Sequence, residues 1–400
     1  MIKRGVLYII LNYLIQCLNM ILSLLLMRYL SSGLLGDLSL ARTWQQFVDY
    51  SHLGARFALD RYVPTSEEDE RQRLLSTVLA ATIIGGLFVI VAALLFNEYN
   101  YIVIILTVSG IFIAIGNVFK TYLRATNNLN DMLAIVFLSQ LLPILIPLGI
   151  YCYTKDFFYF LFATLICYVL SVTYILINKR QLLDYRSLKS LLRVYKKISL
   201  PSFYLFINSL FIFLYLVMDR FFIDYSSGRA ALGDYSVITF AFSALMIIPA
   251  TVAELLYVKI IKQSSTVGRV LFIKEALLIV AITIIGVVVA NPVMSFFIVK
   301  FTKYGDLLRD MHYATLAVIP FALTAIYYHV SNGLDLRKQM IMVNAAVCII
   351  LCVLYVIPIF HNLKYSLHYY VLIKAATGWL VFIGYSFFIW KHTRKLSIKN

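Results

Sequence analysis

Long apolar runs alternate with short polar breaks along almost the whole chain. A helix needs about 20 mainly apolar residues to cross the hydrocarbon core of a bilayer. Twelve stretches meet that length: 6–27, 36–56, 74–96, 102–120, 132–153, 158–177, 200–223, 234–256, 274–291, 313–333, 340–358 and 369–390. Apart from 178–199 the breaks are mostly short, so no soluble domain is expected between the runs. The pattern predicts an all-α polytopic membrane protein of about twelve transmembrane helices.

Polar positions inside the runs carry the next layer of information. A charge facing lipid is costly, so polar residues within a span should look into a bundle interior or a watery cavity. In the second run Arg42, Gln45, Asp49, His52 and Arg56 recur at steps of three and four, the spacing of one helix face. Five such groups over about 21 Å predict a water-lined face, with an interhelical salt-bridge seam as the alternative. Asn12, Gln16, Asn19 and Ser23 share a face of the first run, where amides could also simply hold helices together. In the seventh run Tyr204, Asn208, Tyr215 and Asp219 fall roughly in line. Arg220 is turned about 100° from Asp219, so the two should meet different partners, or Arg220 should snorkel outward. The eighth run offers Ser236, Thr239 and Ser243, then Glu254 near its inner end. Runs one, two, seven and eight therefore form an expected polar-lined inner set. Pro143, Pro147, Pro249 and Pro320 interrupt other turns, where kinks can serve a moving bundle.

Composition and charge sharpen this picture. The chain is 62% hydrophobic and 14% charged over 400 residues, against roughly half and a quarter for soluble domains. Soluble enzyme folds are thereby excluded. The net charge of +16 would suggest nucleic acid in a soluble protein; here it fits Lys and Arg held in loops facing anionic lipid. With Arg28 and Arg42 counted in the first outer loop and Arg56 with the following inner one, 25 of the 35 basic residues fall on the side of the N-terminus and eight opposite, and Arg220 and Lys374 are left over within spans. The positive-inside rule places both termini in the cytoplasm, as an even helix number also requires.

The most basic connection divides the chain in the middle. The expected organisation is a six-helix bundle over 1–177, a linker over 178–199, a second six-helix bundle over 200–390 and a basic cytoplasmic tail over 391–400. Leu182, Leu183, Leu188, Leu191 and Leu192 give the linker the pattern of an amphipathic helix lying on the inner membrane face, with a solvated topogenic loop as the alternative. Gly36-Asp37-Leu38-Ser39 and Gly233-Asp234-Tyr235-Ser236 open corresponding helices of the two halves, and Arg28-Tyr29-Leu30 parallels Arg220-Phe221-Phe222. These matches suggest an internal duplication. The N-terminal Met-Ile-Lys-Arg and its apolar run read as an uncleaved span, since no Ala-x-Ala site follows.

Some chemistry is missing from the sequence. There is no GxxxxGK[ST] loop for nucleotide and no HExxH spacing for metal, and no cofactor is implied. Cys17, Cys152, Cys167, Cys348 and Cys352 lie in or at the edge of apolar runs, which argues against a disulfide framework. The charge is concentrated along a span rather than in large outer loops, which argues against an enzyme.

Arg28-Tyr29-Leu30-Ser31-Ser32-Gly33 with Gly36 resembles the "A-R-x-L-G-…-G" ending of the first helix in bacterial polysaccharide flippases. His52-Leu53-Gly54-Ala55-Arg56 resembles their "G-L-x-x-A" stretch, and Pro201, Asp219-Arg220 and Gly233-Asp234-Tyr235-Ser236 resemble their "P-…-D-R-…-G-x-Y-S" pattern. With its six-plus-six layout the chain is similar to O-antigen (Wzx-like) flippases of the multidrug/oligosaccharidyl-lipid/polysaccharide exporter superfamily. It departs from them at Met27, where a small residue is usual, and at Asp37, where Tyr is commoner.

The resemblance implies a MATE-like pair of bundles in the bacterial inner membrane. It also implies flipping of an undecaprenyl-pyrophosphate-linked repeat unit to the periplasmic leaflet by alternating access. Arg42, Arg56, Arg220 and Arg28 are then the expected diphosphate partners, and Asn12, Gln16, Asn19, Gln45 and Asn208 the partners of sugar hydroxyls. Asp49, Asp219 and Glu254 would carry coupling H+ or Na+. Membrane lipids are expected partners, and polysaccharide assembly proteins further ones. A drug or cation antiporter of the same superfamily, and a membrane sugar polymerase or ligase, are the competing readings.

Overall fold

The structure is a computed structural model that describes residues 2–97, 99–184, 188–246, 249, 252–253, 273–360 and 366–399. Helices dominate, and no strand occurs among the described residues. In lipid a backbone polar group finds no water, and a helix satisfies its own. The elements are α1 (Ile2–Tyr29), α2 (Ser32–Asp49), α3 (Ala55–Tyr62), α4 (Glu68–Phe96), α5 (Tyr101–Ala125), α6 (Leu129–Val136), α7 (Leu142–Thr154) and α8 (Phe157–Asn178), then α9 (Leu188–Leu245), α10 (Ile273–Phe301), α11 (Leu308–Leu316), α12 (Val318–Gly333), α13 (Arg337–Phe360) and α14 (Leu367–Lys399). A π-turn over Phe137–Leu141 joins α6 to α7.

Ten helical stretches among the described residues are long and apolar enough to cross a membrane. One of them, Ser202–Leu245, bends at Gly228, whose φ of 82° and ψ of 175° lie outside the helical region. Helix α2 is absent from the ten because the polar stripe lowers its hydropathy. The helix starts are marked by side chains that take otherwise unsatisfied N–H groups. Asn100 accepts from Ile102 and Val103 at the start of α5, Asn128 from Asp131 at α6, and Asp156 from Phe158 at α8.

The chain divides into two compact units, one of 1–29 and 37–207, the other of 30–36 and 208–400. The first has a core in which Val48, Leu59, Val78, Val118 and Phe119 pack together beneath α3. Part of the mid-chain linker belongs to that core: Leu182, Leu183, Val194 and Tyr195 pack against it, and Ile198 is inside it. Leu188–Ser199 is helical as expected, but it runs into the following span without a break, as the start of α9 rather than a separate helix. Residues 185–187 lie outside the described residues.

The second unit contains a crossing of unusual closeness. A methyl group on Gly36 would stand 1.9 Å from the Arg229 carbonyl oxygen, and one on Gly233 would stand 1.8 Å from that of Ser32. The two glycines of the sequence repeat thus lie on the same contact, each beneath the other segment's backbone. Tyr304 adds a hydroxyl hydrogen bond to the Leu30 carbonyl at 3.2 Å.

One expectation fails at the fold level. The run 36–56 is not a continuous helix: α2 ends at Asp49, residues 50–54 form a turn, and α3 begins at Ala55. Leu53 and Gly54 have φ of 46° and 91°, left-handed values that end a right-handed helix. The His52 ring fixes the turn, its Nδ1 accepting the Gly54 N–H at 2.9 Å. Arg56 therefore does not extend the face that carries Arg42, Gln45 and Asp49.

Candidate functional site

Helix α3 is short and two-faced: Ala55, Ala58 and Leu59 are buried, leaving Arg56 and Asp60 turned away from the core. Helix α5 is divided in the same way. Val118, Phe119 and Tyr122 enter the core, while Asn117, Lys120, Thr121 and Arg124, spaced 3, 1 and 3, share the opposite face. The two polar faces meet around a cleft of about 300 Å³ lined by Arg56, Phe57, Asp60, Asn117, Lys120, Thr121 and Arg124. Three cations face one carboxylate there.

Ion pairs organise the cleft. Asp49, at the end of α2, accepts from Arg56 Nη1 at 2.5 Å and from Asn117 Nδ2 at 3.0 Å, so one carboxylate ties the broken helix to α5. Arg124 donates to both oxygens of Asp60, at 2.9 and 2.7 Å. Lys120 Nζ stands 5.7 Å from the centre of the Tyr8 ring. Guanidinium forks match carboxylate and phosphate oxygens alike, so an incoming anion can exchange with the resident carboxylates.

The structure gathers some of the expected residues and disperses others. Arg56 is in the cleft and Asp49 directly beneath it. Arg42 is half-buried and lies within electrostatic reach of the Tyr168 hydroxyl on α8. Gln45 is occupied with α5, donating to Ser109 Oγ at 2.7 Å. On α1, Asn12 donates to the Tyr8 carbonyl one turn back, Asn19 is half-buried, and Gln16 and Arg28 are exposed.

Residues of the second unit form two buried networks. Asn208 accepts from Asn344 Nδ2 at 2.7 Å, and Asn344 also meets the Tyr385 hydroxyl at 2.9 Å, which pins α9, α13 and α14 together. Asp219 accepts from Lys374 Nζ and from the Tyr235 hydroxyl, each at 2.6 Å. Arg220 is half-buried beside it. Glu254 lies outside the described residues.

Lys120, Arg124, Asn117 and Lys374 are the residues that sequence reasoning missed. The spacing of the α5 residues carries a signal, but at the end of an apolar run Lys120 and Arg124 read as loop charges. Lys374 reads as a charge inside a span with no partner nearby in sequence, because Asp219 is 155 positions away.

Two helical units of apolar spans, with a cationic cleft and ionisable residues among the helices, define a multi-pass membrane protein. The chain matches the family described as "Polysaccharide biosynthesis protein" over residues 2–260 and belongs to it. No curated protein sequence matches it. Among solved structures it is similar to "Lipid II flippase MurJ, inward closed conformation", at a TM-score of 0.69 and 16% identity over 98% of this chain and 90% of that one. It is also similar to "Crystal structure of MATE in the bent conformation", at 0.55 and 15% over 95% and 94%. A third match is an outward-facing multidrug resistance MATE family transporter of the MOP superfamily, at 0.52 and 15% over 90% and 86%. At these identities the likeness is one of fold.

Proposed function

We propose that this protein flips a lipid-linked sugar precursor, an undecaprenyl-pyrophosphate-linked repeat unit of O-antigen or another polysaccharide, from the cytoplasmic to the periplasmic leaflet of the inner membrane. The observation that carries the reading is the cationic cleft between α3 and α5. Its volume lies at the lower end of ligand pockets, which run from about 300 to 1,000 Å³, so it suits a headgroup rather than a whole lipid-linked oligosaccharide. Arg56 and Arg124 supply forked donors for phosphate oxygens, Lys120 a point charge, and Asn117 and Thr121 neutral groups for the first sugar.

Charged headgroups cross hydrocarbon at prohibitive cost unless a polar path replaces their water. The family description and the fold shared with a lipid II flippase support the same reading. By the charge count the cleft lies towards the cytoplasmic side, where such precursors would be loaded. Three cations against the two carboxylates Asp60 and Asp49 leave the cleft net positive, which fits an anionic cargo better than a cationic drug. Arg42, Arg28 and the α1 amides Asn12, Gln16 and Asn19 would serve the substrate later in its passage.

The test is a deletion strain in which lipid-linked single repeat units are located by leaflet. Cytoplasmic accumulation, reversed by the wild-type gene and not by a membrane-inserted Lys120→Glu/Arg124→Glu chain, is the expected result. Periplasmic accumulation would instead mark a missing polymerase and overturn the proposal.

A further inference from the structure

Two ion pairs line the cleft between α3 and α5, one above the other, with a cation between them. The deeper is Asp49 with Arg56 and Asn117. The shallower is Asp60 with Arg124, one turn further along α3 and two turns further along α5. Side-chain exposure is 20% for Arg56 and 26% for Asp49, against 56% for Arg124 and 43% for Asp60. Lys120 lies between the pairs on the α5 face, and among the described residues no carboxylate is within ion-pair distance of it. Both oxygens of Asp60 meet one nitrogen of Arg124, Nη2. Asp49 instead divides itself between Arg56 and Asn117, across the turn that separates α2 from α3.

Exposed ion pairs add little to stability, so stability does not account for Asp60 in a cleft whose other charges suit an anion. Its place does. A phosphoryl group on Arg124 and Lys120 would lie beside the Asp60 carboxylate, and two anions on one guanidinium repel each other. Asp60 is exposed enough to turn into water when that happens; Asp49, more buried and bonded twice, is not. Once the ligand has left, Arg124 has no anion unless Asp60 comes back. A carrier that works by alternating access closes on the return as well as on the outward step. Closing over an unpaired guanidinium carries a large desolvation penalty. A tethered carboxylate removes that penalty, at an effective concentration on the order of millimolar or more.

We propose that Asp60 is the counter-ion of the empty cleft: it gives way to the substrate's phosphate on loading and takes its place on Arg124 for the return step. Loaded and empty protein then both close with Arg124 paired. Lys120, four residues from Arg124 and therefore its neighbour on the helix face, is the cation that lets a diphosphate displace Asp60. One phosphoryl group meets Arg124 while the other meets Lys120, a second contact that the single carboxylate cannot make. This role rests on the transport reading, but its test needs no native substrate.

The experiment uses the full-length protein in inside-out membrane vesicles, with its five cysteines replaced and Phe57→Cys as a reporter in the cleft wall. A membrane-impermeant maleimide is added from the cytoplasmic face without substrate. Labelling is expected in two phases, the slow one being the return of empty protein that faced the other way. Asp60→Asn strands the Arg124 charge in the closed state and should slow that phase about tenfold or more. Acetate, which stands in for the missing carboxylate, should restore it, and Asp60→Glu should recover most of the rate. Asp131→Asn, which removes an equal charge from an ion pair outside the cleft, should leave the slow phase as it was. Calorimetry with inorganic pyrophosphate should show binding tightened by up to about fivefold in Asp60→Asn, the equivalent of one exposed pair. A single labelling phase in the wild type, or a slow phase that Asp60→Asn leaves unchanged or acetate fails to restore, would overturn the proposal. So would equal slowing by Asp131→Asn, or pyrophosphate binding that Asp60→Asn does not tighten. Failure of the leaflet assay would leave these rates and affinities as they are, so the two readings fail separately.

Discussion

Asp49 shows how one side chain can hold a distorted backbone in place. It accepts from Arg56, beyond the turn, and from Asn117 on α5. Replacement by Ala would strand a partly buried guanidinium and should cost about 1–3 kcal/mol. Asp49→Asn keeps the Asn117 contact in reach and should lose less, a difference readable as the shift in thermal midpoint in detergent. Gly54 carries the other half of the turn. With φ of 91° and Phe206 Cβ 3.0 Å from where a methyl would stand, Gly54→Ala should destabilise by about 1–3 kcal/mol in the same assay. In the cleft, Lys120→Ala and Arg124→Ala should each weaken transport about tenfold or more, the equivalent of one lost charge-assisted contact. Their effects should fall short of additivity, because both face one site.

Elements differ in how far the sequence reveals them. The apolar runs are legible because bilayer thickness dictates their length, and Tyr101–Ala125 or Phe157–Asn178 departs from its expected run only at the ends. The break at 50–54 is hidden for a geometric reason. Asp49 and Arg56 are seven residues apart, close to two helical turns, so the polar spacing stays in phase across the interruption. The cleft was half legible: Arg56 stood out, whereas the α5 face lay at the end of a span and looked like topogenic charge. The Asp219–Lys374 pair could not be read, since no local pattern reports a contact between distant helices. The glycine crossing is the element-scale feature most exposed to test. Gly36→Val or Gly233→Val would drive a side chain into a backbone carbonyl, and neither carbonyl can rotate away as a flexible side chain could. Each variant should lower the thermal midpoint sharply, whereas Gly149→Ala, with nothing within 4 Å of its position, should be neutral.

At the scale of the whole molecule, the boundary between units does not follow the order of the chain. Residues 30–36 group with 208–400, although α2 continues from Asp37 into the other unit. A fragment of 188–400 therefore lacks the segment against which Gly233 packs. Expressed alone it should be degraded faster by protease in membranes than when co-expressed with 1–187, and the two pieces should co-purify on a tag carried by either one. Equal resistance of the lone fragment would show that the borrowed segment contributes little.

That borrowed segment has a consequence for how such a protein can change over generations. A gene formed by doubling a half-length ancestor would normally let each copy drift by itself, or be exchanged with that of a relative. Here seven residues encoded near the beginning complete a unit encoded mostly after the midpoint. Recombination at the middle of the gene would pair Ser32 and Gly36 with a stranger's Arg229 and Gly233. Chimaeras joined there should fold only when the parent of the first half supplies glycine at 36 and the parent of the second half supplies glycine at 233, which expression of paired chimaeras differing at these two positions would check.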